Sequence, residues 1–109
     1  VTTIATGNDC ATLINVFTVE PARATELADL LTAATERVMQ HKPGFRSANI
    51  HISADRTRVT NYAQWRDEQC YRAMLEDPVA REHMGAAAAL ATSFDPHLYT
   101  VRSVHERPH

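Results

Sequence analysis

Asn61 and Trp65 stand four residues apart in "TRVTNYAQW" (57–65), a run that reads as a β-strand. A period of two puts both on one face with Val59 and Ala63, and leaves Arg58, Thr60, Tyr62 and Gln64 on the other. With the first face turned inward, an amide and an indole N–H point into the interior. A buried amide without partners costs on the order of 1–3 kcal/mol, so Asn61 requires a satisfied network or a ligand. Two such donors suit an oxygen that gains negative charge during a reaction, and the indole gives a planar molecule a surface to stack on. Trp65, the one tryptophan of the chain, equally suits an ordinary core position.

Further polar residues fall among apolar neighbours. Asn15 shares a face with Leu13 and Phe17, and reads either as a substrate contact or as a sheet-edge amide. Tyr71 lies one turn into the helix expected after Trp65, where its hydroxyl can reach the same interior space. His83 falls on a helical stripe with Val79, Ala86 and Leu90. It reads as a satisfied core residue, a proton acceptor near neutral pH or an axial haem ligand. Arg81 is either solvated or a counter-charge for an anionic substrate at a cavity mouth.

Other chemistries are discounted. No G-x-G-x-x-G, G-x-x-x-x-G-K or G-x-S-x-G occurs, so neither a nucleotide loop nor a serine elbow is expected. Cys10 and Cys70 form no C-x-x-C, and no metal site is expected. A formal charge of -2 argues against nucleic acid as a partner. "GAAAALA" (85–91) is too short to span a bilayer. With no signal-like start and reduced thiols, a cytoplasmic protein is expected.

The elements that must position these residues follow from pattern. The 109 residues allow one domain. Residues 1–10 read as a flexible arm, 11–106 as the domain and 107–109 as a tail. Strands are expected at 11–19, 45–53, 57–65 and 97–106, the last introduced by Asp95-Pro96. Leu27, Leu30, Leu31, Ala34 and Val38 mark a first helix, broken by Pro43-Gly44. Asp67 caps a second helical region, and Asp77-Pro78 restarts it over 79–91. The order β-α-β-β-α-β predicts an α+β, ferredoxin-like two-layer sandwich. Nothing in the chain is left to cover the sheet's other face, where Leu98, Tyr99, Val101 and Val104 would add apolar surface. A homodimer joined sheet to sheet is therefore expected.

The segments "LINVFTVEP", "PGFRSANIHIS", "TRVTNYAQW", "DEQCYRAMLEDPVAREHM" and "FDPHLYTVRSVHE" resemble the antibiotic biosynthesis monooxygenase family, over about residues 11–106. The "NYAQW" core followed by "EQ-x-YR" is most similar to its cofactor-free members, which oxidise phenolic polyketides to quinones. The resemblance implies a dimeric α+β barrel and a small aromatic substrate. It also implies molecular oxygen as co-substrate without metal or flavin, and catalytic roles for Asn61 and Trp65 with Tyr71 close by. The resemblance also implies a role for an arginine on the second helical stretch, as in one such member; here Met84 stands opposite it, with Arg81 near. An alternative in the same family is haem binding and degradation, for which Asn15, Trp65 and His83 match in type and place. A third reading is a non-catalytic dimer that binds a small hydrophobic ligand.

Overall fold

The computed structural model describes residues 2–108; Val1 and His109, the outer ends of the expected arm and tail, lie outside the described residues. Strands β1 (Ala11–Thr18), β2 (Phe45–Ile52), β3 (Arg58–Trp65) and β4 (Ser93–Tyr99) form one antiparallel sheet in the order β2-β3-β1-β4. Helices α1 (Ala24–Arg37), α2 (Glu68–Glu76) and α3 (Pro78–Leu90) pack on one face. This is the α+β, ferredoxin-like sandwich that the sequence predicts. No helix among the described residues is long and apolar enough to cross a membrane.

The helix boundaries follow from local chemistry. Asp67 caps α2 by accepting a hydrogen bond from the Cys70 N–H at 2.8 Å, and Asp77 caps α3 through the Ala80 N–H at 2.9 Å. Pro78 occupies the first turn of α3, where its missing N–H leaves no bond unmade. Lys42, just beyond α1, reaches the other oxygen of Asp77 at 2.8 Å. One carboxylate thereby breaks the second helical layer and ties it to the end of α1.

The core is in two parts. Phe17, Val19, Leu27, Val59 and Ala87 close one end of the sandwich, and Val38, Trp65, Cys70, Met74 and Ala80 close the other. Two features seat the second cluster. Gly44, at φ +82°, lets the chain pass tightly beside α2, and its carbonyl accepts the Arg66 N–H at 2.7 Å. The register then shifts between Phe45 and Ser47, a bulge at exposed Arg46. That extra residue allows Phe45 and Ala48 to point into the same interior despite their odd spacing.

Three expectations are corrected. β4 begins at Ser93 and ends at Tyr99, so it contains Pro96 and omits Val101 and Val104. The strand lies at the sheet edge, where a residue without an N–H is tolerated; the proline was read as a boundary when it is an edge position. α3 is rotated from the expected stripe. Val79 is 50% exposed and Ala86 is exposed, while Ala80 and Ala87 are buried. Small side chains let α3 lie close, which outweighs the larger apolar surface of Val79. Finally, the outer sheet face is partly covered by the chain itself. Thr2 donates to Ser47 at 3.0 Å, and the Gln64 amide donates to the Thr3 carbonyl at 2.7 Å. Gln64 and Thr12 are buried beneath that arm.

Gly44 yields a direct test. A Cβ there would lie 2.4 Å from Cys70 Sγ and 2.6 Å from Cys70 Cβ, in addition to a left-handed backbone that costs about 1–3 kcal/mol for other residues. Gly44→Ala is expected to lower the urea-unfolding free energy by at least that amount. An unchanged midpoint would show that the loop does not pin Phe45 against α2.

Candidate active site

A cavity of about 320 Å³ lies between the sheet and the three helices. Its size falls at the small end of ligand pockets. The floor is sheet: Leu13, Asn15 and Phe17 from β1, Asn61, Ala63 and Trp65 from β3, with Phe45, Ala48, Phe94 and Pro96 from the flanking strands. The helical walls include Leu31, Thr35, Tyr71, Met74, Leu75, His83 and Met84. No Asp, Glu, Lys or Arg among the described residues lines it.

The polar part of the floor is set by register. Asn15 on β1 is directly opposite Asn61 on β3, and Pro96 on β4 is opposite Asn15 on its other side. Pro96 has no N–H to give, so it can occupy only a non-hydrogen-bonded position. The Asn15 main chain is thus left to bond Asn61. The Val19 N–H to Thr57 carbonyl bond, 2.9 Å, is in the same phase of the ladder. The two side chains consequently emerge side by side on the helix-facing surface. Both Oδ1 atoms are buried, and neither has a hydrogen-bond partner among the described residues. Two buried amide oxygens without a donor, in one row between two apolar clusters, are costly unless something else satisfies them.

Aromatic rings hold the adjoining wall. Trp65 is 2% exposed, with Phe45 edge-on to it at 5.4 Å and 88° and Tyr71 tilted at 6.4 Å. Burial pushes the Tyr71 hydroxyl above its ordinary value, only partly offset by the charge of Arg72. Tyr71 is therefore a neutral hydroxyl at physiological pH, available as a donor.

Of the six residues singled out in sequence, the structure brings five together: Asn15, Asn61, Trp65, Tyr71 and His83 all line the cavity. Arg81 does not. It is exposed on α3, whereas Met84 lines the cavity wall. The helical rotation that buries Ala80 and Ala87 turns position 81 to solvent. Sequence reasoning missed Phe45, although Phe45 and Trp65 are equidistant from Asp55 in the β2–β3 turn, a signal that they meet across the hairpin. It also missed Phe94 and Pro96, which lay outside the strand expected at 97–106.

The sequence profile of the antibiotic biosynthesis monooxygenase family matches residues 11–89. Tetracenomycin-F1 monooxygenase of Streptomyces glaucescens is 48% identical over 81 residues, which cover 74% of this chain and 72% of that protein. Among solved structures, the monooxygenase from the gene ActVA-Orf6 of Streptomyces coelicolor, in complex with nanaomycin D, superposes with a TM-score of 0.82. The two are 31% identical, over 93% of this chain and 95% of that one. SnoaB of Streptomyces nogalater, a cofactor-independent oxygenase, superposes with a TM-score of 0.70 at 27% identity, over 88% and 96% of the two chains. That oxygenase has also been solved as an asparagine-to-alanine variant.

The orphaned amides separate a site from a core. Asn61→Leu keeps similar volume and removes the unpaired polar group. It is expected to raise the unfolding free energy by about 1–2 kcal/mol. A loss of stability in denaturant melts would mean that the amide is structurally satisfied.

Proposed function

This chain belongs to the antibiotic biosynthesis monooxygenase family, and we propose that its cavity takes a polycyclic phenol or anthrone that dioxygen oxidises to a quinone. The observation that carries the reading is the pair of buried amide oxygens without a donor, on Asn15 and Asn61, on the floor of an otherwise apolar cavity beside Trp65, where a substrate hydroxyl can supply the missing donor. Two relatives of known activity support it: a tetracenomycin-F1 monooxygenase, and an oxygenase that works without a cofactor.

The reaction needs little from the protein beyond position and polarity. Dioxygen reacts slowly with closed-shell molecules, but a deprotonated phenol or anthrone supplies the first electron itself. One oxygen atom becomes the new carbonyl. The other leaves as water with the two hydrogens that the substrate gives up. Asn15 and Asn61 accept the substrate hydroxyl at Oδ1 in the resting complex, rotation of the side-chain amides turns their N–H groups to the oxygen as negative charge gathers on it, and Trp65 offers its ring face and indole N–H. In a cavity without competing charge, one such donor is worth about 2.7–4 kcal/mol. The surrounding leucine, methionine and phenylalanine side chains exclude bulk water and fit a flat aromatic body.

The active unit is a homodimer joined through the outer sheet face. Ile14, Val16 and Tyr62 are only half-buried there, and Tyr99 is exposed. The arm covers one part of that face and leaves these side chains for a second copy. The two free cysteines support a reducing, cytoplasmic setting.

Two measurements test these readings. Purified protein with an anthrone under air is expected to consume oxygen, and Asn61→Ala to keep its fold while losing roughly 10²–10³ in kcat. Wild-type turnover by folded Asn61→Ala protein would remove the amide from the mechanism. A Soret band on adding haemin would favour the haem alternative, and inertness to both a binding role. Light scattering is expected to give about twice the 12.1 kDa chain mass; a monomer would sink the dimer.

A further inference from the structure

The oxidation proposed above starts with loss of a proton, yet the amides and indole that receive the oxyanion cannot take one. Among the described residues, only Tyr71 and His83 of the cavity wall carry a titratable group. Tyr71 is held neutral by burial and can only give a proton at physiological pH. No carboxylate or cationic side chain of α1, α2 or the sheet faces the cavity, and the charged neighbours of His83 on α3, Arg81 and Glu82, are exposed. His83 is half-buried on α3, on the wall opposite the Asn15–Asn61 row, and its ring has no hydrogen-bond partner among the described residues, whereas those of His41, His51 and His97 do. Imidazole is the side chain that exchanges its proton near neutral pH.

We propose that His83 is the general base of the reaction, taking the substrate's proton inside the cavity that also holds the amides facing the resulting oxyanion. This inference rests on the oxidation reading. The unprotonated ring nitrogen accepts the phenolic proton, and the O–H electron pair stays on the substrate. One electron passes to dioxygen, and the resulting radical pair combines to form a carbon–oxygen bond. The imidazolium returns its proton to the peroxide so formed. Loss of the remaining hydrogen at that carbon then breaks the O–O bond. The carbonyl forms, and hydroxide leaves as water with the proton that His83 relays. Substrate plus dioxygen thus gives quinone plus water, and the histidine ends as it began.

The same geometry has a consequence that does not require turnover. A hydroxyanthraquinone, which resembles the product and is not oxidised further, would be deprotonated by the same acceptor when bound. Its visible absorption is expected to move to the phenolate form at a lower pH in the complex than in free solution, and Asn61 to contribute to that shift. In His83→Gln the dye is expected to bind with its titration back near the free value. With an anthrone under air, His83→Gln is expected to lose about 10²–10⁴ in kcat, the usual worth of a positioned base, and the acid limb of its pH–rate profile. Added imidazole is expected to restore part of the rate to His83→Ala. Wild-type turnover with an unchanged pH profile in folded His83→Gln would overturn the proposal, as would an unaltered dye titration. The two readings fail separately. Wild-type protein that shifts the dye but oxidises no anthrone supports His83 as proton acceptor and removes the oxidation.

Discussion

The opposition of Asn15 and Asn61 across β1 and β3 is the constraint on which the site depends. A one-residue slip of that register would send every side chain of one strand to the other face and separate the amides. The register is held from both sides of the sheet. Phe17 against Val59 and Leu13 against Ala63 bury apolar pairs above and below the amide row. Pro96 then flanks the row from β4, where a residue without an N–H fits because the Asn15 main chain is directed to β3. The polar floor is thus a by-product of ordinary hydrophobic pairing, with its two conspicuous exceptions placed where pairing is strongest.

The helical layer supplies the opposite wall by being interrupted. A continuous helix from Glu68 to Leu90 would run straight past the sheet. The caps at Asp67 and Asp77 divide it into two short pieces with independent directions. α2 brings Tyr71 and Met74 beside Trp65, while α3 lays Ala80 and Ala87 close and lets His83 and Met84 reach inward. The Lys42–Asp77 pair joins this break to the end of α1, so the three elements around the cavity meet at one half-buried carboxylate. Lys42 donating to Asp77 holds that carboxyl below the usual carboxylate range, and the Ala80 N–H adds to the effect. Both clamp and cap therefore persist down to acidic pH and are lost together when Asp77 protonates.

Much of this was legible in the chain because period and caps are local. The alternation in "RVTNYAQW" fixed the face of Asn61 and Trp65, and Asp67 and Asp77-Pro78 announced both helix starts. What was not legible depends on neighbours distant in sequence. Pro96 marks a strand boundary unless the strand is known to be an edge. The phase of α3 follows from how closely alanines approach α1 and the sheet, so Arg81 could not be assigned to solvent from its own helix. The arm looks structureless by composition, yet Gln64 captures the Thr3 carbonyl from 61 residues away. Phe45 joins the site only because a bulge re-aims β2.

Among the described residues the cavity wall carries no fixed charge, and this bears on how the site divides its chemistry. A permanent cation beside the substrate oxygen would favour the anion strongly, and in a low-dielectric space that attraction is large. The same attraction would hold the electron that must pass to dioxygen. Amide dipoles favour the anion less and impose a smaller barrier to its oxidation. In the step proposed for His83, the ring gains its charge together with the proton it takes. The imidazolium and the oxyanion then appear together as a pair with no net charge, which an apolar cavity bears far better than a lone ion. When the electron leaves, the imidazolium stands ready for the reduced oxygen, whose negative charge it now faces. On this arrangement Met84 can line the wall as an apolar side chain, because the positive charge set against the anion is the proton that the substrate itself has given up.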